Sequence, residues 1–222
     1  MKFLILFSVA VLAINLSFAN EETTAVAPKT ALKWLKNGNK RYVNKTWRND
    51  GKNQSDRERL KSAQHPHTIL LSCADSRVPP ELVFDQSLGE IFVIRVAGEA
   101  LDSSVIASIE YAVEHLGTKN IVVMGHTSCG AIKATLGAKA GQSVGSPALD
   151  QLVSDIKPRL TTTKGRSIAS LDVDKASEMN AVGVGADLIK RSKIIREKFE
   201  SGHVLVTSAM YHLDTGKVDF IE

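Results

Sequence analysis

The sequence predicts an α/β domain: a mainly parallel central sheet of about four strands with an antiparallel C-terminal edge strand, flanked by helices and preceded by a helical arm. Three observations point there. Four β-type runs, 68–72, 91–96, 121–124 and 204–209, are apolar through their middles, as strands covered on both faces are. A helical pattern separates the second run from the third, so strand, helix, strand recurs and the sheet is parallel where it does. The chain ends in a hairpin, with Asp214-Thr215-Gly216-Lys217 as the turn between 204–211 and 218–221. A length of 222 residues with 43% hydrophobic content suits one such domain, here spanning 20–222.

The first nineteen residues stand apart. Lys2 precedes an apolar stretch, 3–14, and Ser17-Phe18-Ala19 then places small residues where a signal peptidase reads, so 1–19 reads as a secretory signal. The stretch is shorter than the roughly twenty apolar residues of a membrane span, and acids follow it directly. The mature chain is expected to begin near Asn20, to carry no stable membrane anchor and to work in a bacterial periplasm. Residues 20–29 read as a linker. The arm, 30–65, holds an amphipathic helix over 30–43 with Leu32, Leu35, Tyr42 and Val43 on its apolar side, a loop over 44–55, and a short helix over 56–63 capped by Asp56 or Ser55.

Between the second and third strands, 102–116 sets Val105, Ile106, Ile109, Ala112, Val113 and Leu116 on one helical face, with Gly117 as the stop. Residues 125–136 read as a helix entered through a Thr127/Ser128 cap, and 137–147, with three glycines and Pro147, as a loop. Two further helices are expected over 148–160 and 175–200, around a Thr/Ser-rich stretch at 161–170.

Charge and cysteine content narrow the function. Without Lys2 the chain keeps 27 basic and 24 acidic residues, a net charge of +3, and the basic residues are interspersed with acids. That pattern describes solvated helix faces and excludes a nucleic-acid stripe. Two cysteines in an exported protein most often pair, so a disulfide between Cys73 and Cys129 is one reading. The other is a metal site. Cys73-Ala74-Asp75-Ser76-Arg77 closes the first strand, and His126-Thr127-Ser128-Cys129 closes the third, 53 positions further on. Ligands of parallel sheets gather at such strand ends. Two thiols and one imidazole are the protein ligands of a catalytic zinc with one position open. Cys129 also falls at a helix start, which favours thiolate. Asp75 lies where a carboxylate would accept a hydrogen bond from a metal-activated water, and Arg77 would hold it ionised. If Arg77 let go, Asp75 would itself be able to close the fourth position.

These residues resemble the β-class carbonic anhydrases. The resemblance runs through Cys73-Ala74-Asp75-Ser76-Arg77-Val78, Pro80-Glu81, Phe84-Asp85-Gln86, Arg95-Val96-Ala97-Gly98, Ser108-Ile109-Glu110-Tyr111-Ala112 and Gly125-His126-Thr127-Ser128-Cys129-Gly130, and covers about residues 30–221. It implies one zinc ion per chain held by Cys73, His126 and Cys129, the catalytic pair Asp75 and Arg77 beside it, and reversible hydration of carbon dioxide to bicarbonate and a proton. It also implies a homodimer or homotetramer. Gln64, followed by His65-Pro66, matches the family's Gln-x-Pro segment, whose amide donates to the substrate oxygen. Glu99 stands where the family often has Asn, and Leu70 and Ser72 replace the Trp and Gly of some bicarbonate-regulated members. His65, His67, His203 and His212 are candidates for relaying the proton. The alternatives are a related hydrolase of carbonyl sulfide or carbon disulfide, or a non-enzymatic exported protein that binds zinc or carries a disulfide.

Overall fold

In the computed structural model, which describes residues 25–160 and 167–221, strands β1 (Thr68–Ser72), β2 (Ile91–Arg95), β3 (Asn120–His126), β4 (Leu205–Tyr211) and β5 (Val218–Ile221) form one sheet. Their order is β2-β1-β3-β4-β5; the first four are mutually parallel and β5 runs antiparallel to β4, as the sequence predicts. Residues 1–19, expected to be a secretory signal, and residues 161–166 of the Thr/Ser-rich stretch lie outside the described residues. The helices of the described residues are α1 (Pro28–Val43), α2 (Gln54–Arg59), α3 (Pro80–Val83), α4 (Ser103–His115), α5 (Gly130–Gly137), α6 (Pro147–Ile156), α7 (Val173–Arg191) and α8 (Lys193–Glu200). None of them is long and apolar enough to cross a membrane.

Burial explains why the strand pattern lacks a polar face. Every residue of β1 and β3 is buried. Ile69, Leu71, Ile121 and Val123 pack with Ile109 of α4, Leu188 of α7 and Ile195 of α8 on one side. Leu70, Val122 and Met124 pack with Leu35 of α1 and Val83 of α3 on the other. A third cluster, around Cys73, Cys129, Ile132 and Ile156, sits where α5 and α6 cover the carboxyl ends of the strands. The arm is tied down by Asn39, whose amide donates to Val83 O at 3.0 Å and Gly216 O at 2.9 Å while its carbonyl accepts from Val218 N at 2.9 Å.

Several boundaries differ from the sequence reading, each for a local reason. The first helix starts at Pro28, a residue suited to a helix's first position. The second starts at Gln54 under a capping box: Asn53 accepts from Asp56 N, and Asp56 accepts from Asn53 N, so neither Asp56 nor Ser55 is the cap. The expected helix over 148–160 ends at Ile156 and tightens into a 3-10 turn, Lys157–Arg159, because Pro158 has no N–H to continue it. The expected single helix over 175–200 is two. Ser192 is extended between them, accepts from Ile195 N at 3.1 Å to cap α8, and donates to Glu110 at 2.6 Å. Neither Thr127 nor Ser128 caps α5; its first flanking residue is Cys129, and Ser128 is left-handed.

His67, one of the relay candidates, is spent on the fold. Gln86 Nε2 donates to Phe84 O, so Gln86 Oε1 must accept from His67 Nε2 at 2.9 Å; His67 Nδ1 meets Thr68 Oγ1 at 2.9 Å. Trp34 stands edge-on over the ring at 5.1 Å. Burial holds the His67 pKa below its ordinary value. A buried base with a depressed folded-state pKa contributes stability above its unfolded value, about 6.5, and loses it as pH falls through the folded one. Acidification below about pH 6.5 is therefore expected to lower the melting temperature of the native chain more than that of H67Q, by on the order of a few degrees. Equal slopes in the two proteins would show that His67 does not titrate against the fold.

Candidate metal centre

The parallel register brings the two motifs together. Ser72 of β1 pairs with Met124 of β3, so Cys73, one residue past the first strand, lies beside the last residues of the third, where His126 ends the strand. His126 thus comes from the strand itself. Cys129 follows after a two-residue loop at the start of α5. Cys73 Sγ, Cys129 Sγ and a His126 ring nitrogen all lie within 4.8 Å of one another, and all three residues are buried. Both cysteines are free thiols in this structure, with no disulfide between them.

The hydrogen bonds decide which imidazole nitrogen is available. His126 Nδ1 lies 2.9 Å from Thr127 O, and a carbonyl only accepts, so Nδ1 carries the hydrogen. His126 Nε2 is then the lone-pair nitrogen. It is buried and has no partner. The S–H···S hydrogen bond from Cys129 holds the Cys73 thiol below the ordinary thiol range against the opposing effect of burial, with help from Gly98 N–H, which donates to Cys73 Sγ at 3.4 Å. The same bond, followed by burial, pushes Cys129 up. The two shifts run in opposite directions, so thiolate character falls on Cys73 rather than on Cys129. A soft dication fits that donor set: it would bind both sulfurs as thiolates and give His126 Nε2 the partner it lacks. Zinc meets this description best among metals that bind two thiolates and an imidazole.

Around the cluster, polar groups fix the turn after β1. Arg77 Nε donates to Asp75 Oδ1 at 2.9 Å and Nη2 to Oδ2 at 2.7 Å, a bidentate pair, with Arg77 N also on Oδ1 at 3.0 Å. Arg77 holds the Asp75 carboxyl well below the usual carboxylate range. Asp75 Oδ2 is 3.9 Å from His126 Nε2, at the edge of the ligand set. From the last position of β2, Arg95 donates to Cys73 O at 3.0 Å and to Asp75 O at 2.6 Å, so it orients the backbone between the two. In the sequence Arg95 stands out only as part of the 95–98 motif; the signal for its role is a charge that ends an apolar strand beside the cysteine strand.

Gly98 is required where it stands. Its φ is +59°, and a Cβ there would come within 2.8 Å of Ile156 Cδ1 and 2.9 Å of Ala131 Cβ. Glu99 follows, also left-handed at φ +50° and 1% exposed. Asn180 of α7 donates to Gly98 O at 2.8 Å and to Glu99 Oε2 at 3.2 Å, while Glu99 Oε1 has no partner. Burial pushes the Glu99 carboxyl well up, and the Cys73 charge adds to the effect.

Gln64 is the one expected site residue that does not join the cluster. It lines a cleft with His65, Tyr111, Thr118, Lys119 and Val204, residues that precede β1, β3 and β4 or lie on α4. That is the amino end of the strands, opposite the cysteines. His65 and His203 share this cleft.

The sequence matches the carbonic anhydrase family over residues 68–218. The chain belongs to the β-class carbonic anhydrases. It is 37% identical over 192 residues to the carbonic anhydrase of Mycolicibacterium smegmatis, an alignment covering 86% of this chain and 92% of that one. Among solved structures, the Coccomyxa β-carbonic anhydrase in complex with acetazolamide superposes with a TM-score of 0.62 at 29% identity, over 73% of this chain and 74% of that one. A structure from Sordaria macrospora, described as one of two tetrameric β-carbonic anhydrases, gives a TM-score of 0.61 at 25% identity, over 74% of this chain and 84% of that one. Carbonic anhydrase activity, the hydration of carbon dioxide, accordingly belongs to this chain's family, and the Cys73, His126 and Cys129 cluster lies inside the matched region.

Proposed function

We propose that this carbonic anhydrase interconverts carbon dioxide and bicarbonate with one zinc ion per chain, held by Cys73 Sγ, His126 Nε2 and Cys129 Sγ. The observation that carries the reading is His126 Nε2, a buried lone-pair nitrogen without a partner beside two free sulfurs. Once bound, the ion supplies Lewis acidity that brings the ionisation of water toward neutral pH. The two sulfurs cancel its charge and so temper that effect, which makes the rate rise with pH above neutrality. Asp75 accepts a hydrogen bond from the reacting water and aims its lone pair at the carbon of carbon dioxide. Arg77 keeps Asp75 ionised and in place through its bidentate pair. Ionised throughout the working range, Asp75 orients the water and leaves the released proton to buffer.

Stopped-flow hydration of carbon dioxide from about pH 7 to 9 tests this, with zinc counted in the same preparation. The expected result is one zinc per chain and a rate that climbs with pH. D75N should keep its zinc and lose on the order of 10–100-fold in kcat/KM. Full activity in D75N removes the Asp75 and Arg77 roles. Zinc without hydration, but with turnover of carbonyl sulfide or carbon disulfide, turns the assignment to the hydrolase.

Gln64 completes the site of a second copy in a homodimer or homotetramer, donating its amide to the substrate oxygen. Its place at the opposite end of the strands from the cysteines supports this, as does the tetrameric Sordaria macrospora relative. Co-expressed Q64A and D75N chains decide it. If Gln64 acts across an interface, each mixed dimer regains one intact site and the mixture is more active than either variant alone. If it acts within its own chain, mixing restores nothing.

Residues 1–19 are proposed to direct export to the periplasm, on the strength of their apolar core and small residues at 17–19. Mass spectrometry of the periplasmic fraction should find a chain starting near Asn20; a full-length chain confined to the cytoplasm overturns the assignment.

A further inference from the structure

The two-residue loop between His126 and Cys129 is clamped from both sides. On one side Thr127 N donates to Tyr211 O at 3.0 Å and Thr127 Oγ1 accepts from Leu213 N at 3.0 Å, which ties the loop to the β4–β5 hairpin. On the other side Ser128 N donates to Asp174 Oδ1 at 2.6 Å, a short bond to a carboxylate. Ser128 has φ +57°, the left-handed region that residues with a Cβ rarely adopt. Cys129 leaves the loop directly after this strained residue. If Ser128 relaxed to an ordinary conformation, the path from His126 to Cys129 would change and their ligand atoms would no longer converge on Cys73.

Asp174 reaches the loop because α7 runs close against β3. Gly125, next to His126, makes the approach possible: a Cβ there would come within 3.0 Å of Met210 Sδ and 3.2 Å of both Ala181 Cβ and Ser177 O. Asp172 caps the helix, accepting from Asp174 N at 2.9 Å and Lys175 N at 3.0 Å, and so fixes the turn that carries Asp174. Asp172 already serves the helix end, which leaves the Asp174 carboxylate to Ser128.

We infer that Asp174 is a positioning residue of the metal centre: its carboxylate holds Ser128 in the left-handed conformation that turns His126 Nε2 and Cys129 Sγ toward Cys73 Sγ. The inference rests on the zinc reading above. It differs from an ordinary role for an acid in the first turn of a helix, where the charge only complements the helix dipole. The two roles part at Ser128, since glycine takes φ +57° without a Cβ penalty.

The test is transfer of zinc from the loaded protein to a chromogenic chelator, together with the absorption spectrum of the cobalt(II)-substituted protein. D174A should retain metal on the order of 10–100-fold less well and shift the cobalt bands. D174N, which keeps an oxygen acceptor for Ser128 N, should fall between D174A and the native chain. S128G placed in the D174A background should recover most of the loss. Two results overturn the inference: native retention and an unchanged cobalt spectrum in D174A, or a loss in D174A that S128G leaves unrepaired, which would make Asp174 a helix-end residue only. A native chain that binds no zinc sinks the metal assignment itself and this inference with it, so the two failures are distinguishable.

Discussion

The backbone ladder between β1 and β3 is the constraint on which the rest depends. Pairing of Ser72 with Met124 places the end of β1 beside the last residues of β3, and the chemistry-bearing residues lie at or just past those two ends. A slip of one residue in such a ladder reverses every side chain, and both faces of these strands are buried under apolar helices. The register is therefore held by the whole core. Cys73, His126 and Cys129 need no long-range interaction of their own to meet; the packing of Leu71, Val123 and their neighbours brings them together.

Unpartnered buried polar atoms gather at the same end of the sheet. Of the four such side-chain atoms among the described residues, Ser72 Oγ, Glu99 Oε1 and His126 Nε2 belong to the carboxyl ends of β1 and β3 or to the segment against them. Each costs about 1–3 kcal/mol if left unsatisfied, and folded proteins do not concentrate such costs without a use for them. The surrounding donors are arranged around that same point. Gly98 N–H faces Cys73 Sγ, Arg95 grips the carbonyls of Cys73 and Asp75, and Arg77 grips the Asp75 carboxylate. Rigid groups of this kind, set before any ligand arrives, keep the site from reorganising when charge changes there.

Two further layers lie outside this inner set. Helix α7 supplies Asn180 to the Gly98-Glu99 segment and Asp174 to the His126-to-Cys129 loop, so a single helix supports both of the left-handed segments that border the cluster. Gln64 lies at the far end of the strands, beside Tyr111 and β4, and its proposed role depends on a second copy of the chain. Within one chain Cys73, His126 and Cys129 converge on one point, and Gln64 is the residue left over.

Much of this was legible in the sequence because the relevant signals are local. Fully apolar runs such as 69–71 and 121–124 mark buried parallel strands, and the residues at their ends, two thiols with an imidazole and an acid with a guanidinium, name a metal chemistry by type alone. Helix boundaries were less legible because they turn on single side-chain bonds: Asn53 and Ser192 stop or start helices by accepting a backbone N–H, a choice the apolar pattern does not record. Sequence by itself determined the fold class, the residue types that could hold a metal and the family, since these follow from residue type and short spacing. Tertiary structure alone decided that His126 Nδ1 is occupied and Nε2 free, that Glu99 is sealed in, that Gln64 faces away and that Asp174 reaches Ser128, because each depends on contacts between segments far apart in the chain.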